Sequence, residues 1–326
     1  MKLVSALVAL MLALFAVSLD VGYAPLDLAA ALGDLLAGRQ TSAALILAEL
    51  RFPRAVMGLF VGFTLGLAGA AMQGLLRNPL AEPGVLGISG SAAFGAVVVF
   101  YSGLAGAFSL ALPLGGIAGA LLAAVLLFRL SGKGTTTTAL ILAGVAINSF
   151  AGAMTALALN LAPDPYAALE IMYWLMGSLA DRSLHHVWLG APLMIIGWLL
   201  ILSRGRALDA LSLGEDTARS LGVRITGLQR ILIAGSAIAV GASVAVSGAV
   251  GFVGLVVPHL LRPFVGNQPS RLLVVSGLGG AAMTMAADLL IRASMVKPEL
   301  KLGVVTALIG APFLFSLIWR LRRKEA

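Results

Sequence analysis

The chain has 326 residues, of which 60% are apolar and only 11% are charged, and its formal net charge is +8. A soluble domain carries about 25% charged residues, so this composition excludes a water-soluble globular protein and indicates a polytopic membrane protein. The sequence contains no cysteine, which excludes disulfides, thiolate metal sites and thiol catalysis.

Ten apolar stretches approach the roughly 20 helical residues that cross a bilayer core. We therefore predict an all-α protein with one transmembrane domain over residues 1–326. Its predicted spans cover about 3–19, 55–76, 84–101, 106–128, 138–160, 187–203, 228–248, 251–265, 271–292 and 303–320. The third and eighth are short and interrupted by glycine, and Pro258 predicts a break within the eighth. The first also has features of a cleaved signal peptide, but we keep it as the first helix.

The basic residues predict the orientation of the chain, because Lys and Arg concentrate in cytoplasmic loops. With the N-terminus inside, 15 of the 22 Lys and Arg lie inside, and nine of the 14 Asp and Glu lie outside or near the outer face. Both termini are therefore predicted to be cytoplasmic.

Two segments outside the spans are long enough to form structure of their own. In residues 20–50, leucines interleaved with Asp27 and Asp34 predict an amphipathic helix on the outer interface, with a plain solvated connector as the alternative. In residues 204–230, apolar positions alternate with arginines and acids, and Gly214 and Gly222 break the run. That pattern predicts two short cytoplasmic helices with one side free to dock, or else a loop lying on the surface.

Spacing within two spans predicts specific contacts. Gly58, Gly62 and Gly66 recur every four residues, so one helix face is nearly bare and another helix can pack closely against it. Asp288 and Arg292 are also four residues apart, which places them on one helix face where they can pair inside the membrane.

Residues 77–87, RNPLAEPGVLG, predict irregular backbone near membrane depth, because the residue before a proline disfavours the helical conformation. Such backbone survives only when it is buried in protein or lines a watery path, so the segment is a gate element or a tight turn. Pro258 and His259 occupy an equivalent place in the second half, and the two halves would have opposite topology, as in many transporters.

Two enzymatic interpretations are weak. The SGKGTTTT run resembles a phosphate loop, but position 127 is leucine and Gly134 follows Lys133, so we predict no nucleotide hydrolysis by this chain. The run from Gly87 to Gly90 matches the GxSG pattern of intramembrane serine proteases, with Ser89 as nucleophile and His259 as base. That remains a remote alternative. An ion-coupled secondary transporter is the nearer one, although few charges lie within the spans.

Five ordered motifs resemble one family over nearly the whole chain. They are RFPR (51–54), GAAMQGLLRNPLAEPGVLGIS (69–89), LGEDTARSLGV (213–223), GAVGFVGLVVPHLLR (248–262) and GVVTALIGAPFLF (303–315). The family is that of the permeases of iron-siderophore, haem and vitamin B12 importers, which are type II ATP-binding-cassette transporters.

The resemblance implies a homodimer of ten-helix subunits in a bacterial or archaeal cytoplasmic membrane, with the translocation path on the twofold axis. It also implies two ATPase subunits inside, which hold ATP and Mg, and a binding protein that docks outside. This chain would itself be no enzyme and would bind no cofactor or metal. Among cargoes, ferric siderophore is the first expectation because that class is commonest in the family, with haem and cobalamin close.

The resemblance also assigns roles to matching positions. The residues expected to contact the ATPase are Gly214, Glu215, Ala218, Leu221 and Gly222. The residues expected to receive acidic groups of the binding protein are Arg51, Arg54 and Arg292. The residues expected at the gate or pathway are Asn78, Pro79, Leu80, Pro258 and His259. Arg51 and Arg54 are three residues apart at a helix start, so they would be available to carboxylates of a partner. The alternative is that they anchor the second span at the interface.

Overall fold

A computed structural model describes residues 2–106, 108, 110–132, 136–162 and 165–325, without the side chains of 105, 317, 318 and 320–325. Lys133 and Gly134 of the rejected phosphate loop lie outside the described residues, as do the side chains of the basic C-terminal end. Throughout the described part the secondary structure is helical, and it contains no β-strand.

The helices follow one another with short connections. In chain order they are α1 (Lys2–Asp20), α2 (Leu28–Leu36), α3 (Ser42–Leu45), α4 (Phe52–Leu76), α5 (Ile88–Tyr101), α6 (Ala111–Ser131), α7 (Thr137–Asn160), α8 (Pro165–Leu175), α9 (Leu184–Leu202), α10 (Gly205–Ser212), α11 (Glu215–Ser220), α12 (Ile225–Ser247), α13 (Val253–Leu261), α14 (Pro269–Ala293) and α15 (Leu302–Glu325). A π-helical turn, Ile46–Arg51, joins α3 to α4, so that helix runs unbroken from Ser42 to Leu76.

The ten predicted spans correspond to ten apolar helices. Seven are long enough to cross a membrane by length and composition, and the shorter three are Ile88–Tyr101, Val253–Val265 and Leu302–Ser316. The third span begins at Ile88 rather than near residue 84, because Pro83 and the left-handed Gly87 (φ 76°) keep the preceding backbone out of the helix. The helix α8 was not predicted.

The glycine face of α4 packs against α14, as the spacing predicts. A methyl group added to Gly66 would lie 1.9 Å from the carbonyl oxygen of Ser276, and one added to Gly62 would lie 2.3 Å from that of Gly280. Both are collisions with backbone, so only glycine permits this approach. Most of α4 and α14 is buried, and the two helices form the centre of the bundle.

The predicted break at Pro258 is wrong in position. The helix α13 continues through Pro258 to Leu261 and then tightens into a 3₁₀ turn, Arg262–Val265. Proline has no backbone N–H, so the carbonyl of Gly254 lacks its helical donor. The side-chain amide of Gln73 donates to that carbonyl instead, at 3.4 Å. This bond is long and weak, so it satisfies the carbonyl only in part.

Both segments outside the spans contain the expected helices. In residues 20–50, Asp27 caps α2 by accepting the backbone N–H groups of Ala29 and Ala30, each at 3.0 Å. Three leucines of α2 are exposed, at 32, 35 and 36, which agrees with an amphipathic helix whose placement on a membrane stays a prediction. In residues 204–230, α10 and α11 are separated at Gly214.

Candidate functional sites at the two ends of the helix bundle

One end of the bundle, which we name the Asp209 end, carries α10, α11 and the start of α14. The carboxylate of Asp209 accepts hydrogen bonds from the backbone N–H of Ser270 at 2.7 Å, from its hydroxyl at 2.6 Å and from the Gln268 amide at 3.0 Å. Burial raises the pKa of Asp209, but these bonds outweigh it and hold the pKa below its usual range. An anionic acceptor at a helix N-terminus is stabilising, so Asp209 fastens α10 to α14.

The residues predicted to contact an ATPase lie together beside this attachment. Gly214 has φ 110° and Gly222 has φ 84°, conformations that a side chain would strain, so these two glycines define the ends of α11. Ala218 is fully buried and holds α11 to the bundle, while Leu221 is 63% exposed. Leu213, which begins the LGEDTARSLGV motif but was not among the residues expected to contact the ATPase, is 66% exposed. Two exposed leucines therefore flank a helix that is fixed on its inner side.

The short helix α11 also contacts the predicted gate segment. Glu215 lies 3.6 Å from Arg77, the left-handed residue that ends α4. The next residue, Asn78, accepts the backbone N–H of Leu80 at 2.9 Å through its side chain, which closes a turn at Asn78-Pro79. In the same segment, burial raises the pKa of Glu82. The gate segment is thus a compact turn joined to α11 by an ion pair.

The second half of the predicted gate lies on α13. The ring of His259 packs edge-on against Phe313 of α15 at 5.4 Å between centroids, and Arg262 donates to the side-chain oxygen of Gln73 at 2.6 Å. Across the described residues no hydrogen bond or ion pair joins His259 to the 78–80 turn or to Ser89. The pairing of Ser89 with His259 that a protease requires is therefore missing from this part of the chain.

A large apolar cavity of about 630 Å³ lies along one face of α15. Its lining is Met176, Ala249, Gly303, Val304, Ala307, Leu308, Ala311, Pro312 and Phe315. No side chain in that set is charged, so the wall can contact a bulky apolar molecule without binding it through ion pairs.

The other end of the bundle, which we name the Asp288 end, is built around charged groups. Asp288 pairs with Arg292 at 3.0 Å, which confirms the predicted ion pair. It also accepts hydrogen bonds from Arg54, donated by Nε at 3.0 Å and by Nη2 at 2.8 Å. Arg54 makes a second ion pair with Glu299. The contacts of Arg54 were missed because its partners lie more than 200 positions away in the sequence.

The other two predicted docking residues cap the end of α1. Arg51 donates to the carbonyls of Leu19, Asp20 and Ala24. Arg292 donates to the carbonyls of Ser18 and Val21 and to the hydroxyl of Ser18. Terminal carbonyls of a helix lack helical donors and attract cations. The expectation that Arg51 is available to a partner therefore differs from the structure, since its guanidinium is buried against backbone.

A cavity of about 320 Å³ opens at the Asp288 end among these arginines. Arg51, Arg54 and Arg292 line it together with Glu299 and Arg182. Sequence reasoning did not single out Arg182, and burial lowers its pKa, with only a partial opposing effect of Asp181. The three predicted residues are therefore brought together, around a cavity that includes a fourth arginine.

The fold and the two ends define a class of protein: a polytopic membrane permease whose helices cross in a glycine-packed bundle. The family model of the FecCD transport family matches residues 10–320. The chain therefore belongs to the FecCD transport family.

Individual relatives agree with this assignment. The vitamin B12 import system permease protein BtuC of Vibrio cholerae is 42% identical over 85% of this chain and 82% of its own length. The hemin transport system permease protein HmuU of Yersinia pestis is 37% identical over 85% of this chain and 84% of its own. A solved metal-chelate type ABC transporter in an inward-facing conformation is 30% identical, with a TM-score of 0.84 over 98% of both chains. The chain is an inner-membrane permease of the ATP-binding-cassette importer type.

Proposed function

We propose that two copies of this chain form the gated path of an importer for a bulky metal chelate, with ATP hydrolysed on two partner subunits. The observation that carries the proposal is the family match over residues 10–320. The geometry supports it, since one rigid helix, α14, connects a docking-like surface at the Asp209 end to an arginine-lined cavity at the Asp288 end.

At the Asp209 end, which would face the cytoplasm, Leu213 and Leu221 would enter a cleft on the ATPase. Gly214 and Gly222 shape α11, and Ala218 fixes it to the bundle. Movement of the ATPase would reach the gate turn through Glu215 and Arg77. It would reach α14 through Asp209. A bistable element driven from outside the membrane needs a mechanical connection of this kind.

The pathway would run along α15. The turn at Asn78, Pro79 and Leu80 would close it at the cytoplasmic end, and Pro258 and His259 would position α13 against α15. The uncharged wall would let a large chelate pass without trapping it. A second copy would supply the opposite wall, since the cavity is open along one side of a single chain.

At the Asp288 end, which would face outward, a binding protein would deliver the cargo. Arg54 would meet its acidic groups, while Arg51 and Arg292 would hold the end of α1 in place. The named relatives carry vitamin B12 and hemin. Those two chelates and a ferric siderophore are therefore the cargoes to compare.

Purification from native membranes in mild detergent tests the proposal. We expect a soluble ATPase to copurify in a 1:1 ratio with this chain, and we expect hydrolysis to rise when binding protein and the correct chelate are added in proteoliposomes. Leu221→Ser should reduce ATPase recovery, whereas Leu308→Ser on the apolar wall should keep it. A lone dimer with no ATPase and no hydrolysis would contradict the proposal and favour ion-coupled transport.

A further inference from the structure

A second cavity, also of about 630 Å³, lies at the Asp209 end between the start of α1 and the start of α14. The 3₁₀ turn Arg262–Val265 contributes Phe264 and Val265 to its lining. We name this cavity the α1–α14 groove. Along α1 only Ser18 is buried, so α1 lies at the surface of the bundle, and the groove beside it is open to the surrounding membrane.

The walls of the groove are mostly apolar. Val4, Phe264 and Val274 line it and are 37%, 71% and 38% exposed. Single exposed apolar side chains are ordinary, whereas several that line one concave surface form a patch that marks a contact with a ligand or a membrane. The three side chains come from three different elements, so a hydrocarbon chain lying in the groove would contact all three.

A cation with no bonded partner stands in the wall of this groove. Arg271 is exposed, and no hydrogen bond or ion pair joins it to any residue that the structure describes. The carboxylate of Asp209 contacts the neighbouring Ser270, but Ser270 and Gln268 already donate to it and it forms no ion pair with Arg271. Arg271 is therefore available to an anion from outside the chain.

A second cation lies at the start of α1. Lys2 is exposed and precedes Ser5 of the groove lining by three residues, so the two share a helix face. The Lys and Arg distribution predicts that this end of the bundle faces the cytoplasm. The groove thus combines apolar walls with two basic residues at the predicted cytoplasmic surface of the membrane.

We propose that the α1–α14 groove binds an anionic phospholipid of the cytoplasmic leaflet, with its phosphate held by Lys2 and Arg271 and one acyl chain along Val4, Phe264 and Val274. Basic pockets between transmembrane helices on the cytoplasmic side are typical sites for anionic lipid headgroups. The inference needs only a protein in this membrane, so it does not depend on the cargo or on the ATPase.

Other occupants explain less of the groove. A soluble anion would pair with the cations but would leave the apolar walls uncovered, and the backbone N–H of Ser270 is not free for it because Asp209 accepts that group at 2.7 Å. A second copy of the chain would, under the proposed function, cover the apolar wall on α15, which shares no lining residue with this groove. An anionic lipid accounts for both the charge and the apolar surface.

The lipid would also lie beside the attachment of α10 to α14. Ser270 lines the groove, and its N–H and hydroxyl both donate to Asp209. An acyl chain that packs against α1, α14 and the 3₁₀ turn together would hold these three elements in one arrangement. Occupancy of the groove would therefore stabilise the region that fastens α10.

The test counts bound lipids by native mass spectrometry on the protein purified with its partners and washed in detergent to remove native lipid. Dioleoylphosphatidylglycerol, which is anionic, and dioleoylphosphatidylcholine, which is zwitterionic, are titrated separately. We expect one phosphatidylglycerol per copy of this chain, bound at least tenfold more tightly than phosphatidylcholine.

Three variants locate the site. Arg271→Gln should weaken binding of phosphatidylglycerol about fivefold, whereas Arg271→Lys should keep most of it, because a lysine also binds a phosphate as a point charge. Val274→Phe narrows the groove without changing its charge and should weaken binding as well. The matched control is Arg224→Gln, which removes an exposed arginine at the start of α12, at the same end but outside the groove, and should leave binding unchanged.

Each contrary result refutes the lipid site. Equal binding of the two lipids would do so, as would equal effects of Arg271→Gln and Arg224→Gln. If inorganic phosphate, or a phosphatidylglycerol with six-carbon chains, displaces the long-chain lipid at equal concentration, the groove holds a phosphate alone and the acyl chain plays no part. Unchanged binding in Val274→Phe would have the same meaning. Thermal transitions measured on every variant identify any loss that comes from misfolding.

Discussion

The two ends of α14 are each held by one carboxylate, in opposite ways. At the start, Asp209 on a neighbouring helix accepts three bonds from the neutral donors of Gln268 and Ser270. Near the end, Asp288 belongs to α14 itself and pairs with the guanidinium groups of Arg54 and Arg292. Asp209 is half-buried, whereas Asp288 is buried.

The difference predicts which end of the bundle changes its contacts more easily. Separating charges in a buried site leaves them unpaired at a high cost, whereas the hydrogen bonds from neutral donors to a partly exposed carboxylate can be exchanged for bonds to water. We therefore expect the Asp288 end to be the more fixed of the two, except at the partly exposed Glu299. Under the proposed function, the Asp209 end would change its contacts when the ATPase binds. This is the arrangement expected of a helix that receives force at one end.

The strongest test of the comparison removes the charge at the fixed end. Asp288→Asn should destabilise the protein by about 3–5 kcal/mol, because it leaves the buried Arg292 without a carboxylate and leaves Arg54 with Glu299 alone. Tryptophan fluorescence during heating in detergent measures the change. Asp34→Asn, which removes the carboxylate of an exposed pair, is the control and should leave the transition nearly unchanged. An equal effect of both substitutions would contradict the special role of the buried site.

A smaller effect is expected at the adjustable end. Asp209→Ala should cost about 1–2 kcal/mol, since three hydrogen bonds to one partly exposed carboxylate are lost. It should also reduce import per ATP hydrolysed, because α10 would no longer move with α14. Heating and transport in proteoliposomes measure the two effects. Normal coupling in Asp209→Ala would show that α10 transmits no movement to α14.

The same carboxylate gives a pH dependence. The pKa of Asp209 is lowered in the folded protein, so its stabilisation is complete above its unfolded pKa of about 3.9 and is lost as pH falls through the folded value. The difference in transition temperature between wild type and Asp209→Asn should be constant above about pH 5 and should shrink below about pH 4. A difference that grows on acidification would mean that the pKa is raised.

The smallest effect is expected at the ion pair between α11 and the gate turn. Arg77 and Glu215 are 47% and 37% exposed and 3.6 Å apart, so Arg77→Gln should change stability by less than about 0.5 kcal/mol. If the pair transmits movement, import should still fall relative to hydrolysis. The control is Arg219→Gln. Arg219 lies on α11 with Glu215, and its side chain is 63% exposed. If both variants transport equally, the ion pair of Glu215 with Arg77 transmits no movement, and Asp209 is the remaining mechanical connection.

Local patterns in the sequence predicted much of the fold. The spacing of Gly58, Gly62 and Gly66 predicted a close helix contact without naming its partner, which is α14, and the four-residue spacing of Asp288 and Arg292 predicted their ion pair. Both signals lie within one helix, where the periodicity fixes which residues share a face. The ten apolar helices were predicted from the length of the apolar stretches.

Long-range contacts could not be predicted in this way. Nothing in the sequence near Arg54 indicates that Asp288 and Glu299 pair with it. Nothing near Pro258 indicates that Gln73 donates to the carbonyl that lacks a helical donor. Arg182 resembles an ordinary loop cation in the sequence, and only the packing around the cavity distinguishes it.

The central claim, that the Asp209 end binds an ATPase, can be tested by crosslinking because the chain has no native cysteine. A single Leu221→Cys variant and a single Val296→Cys variant, exposed at opposite ends, are labelled in native membranes with a reagent that is thiol-reactive at one end and photoactivated at the other, so that it can bond to any neighbouring chain. The account predicts a crosslink from position 221 to an ATPase subunit and none from position 296. A crosslink to the ATPase from position 296, with none from 221, would contradict the claim.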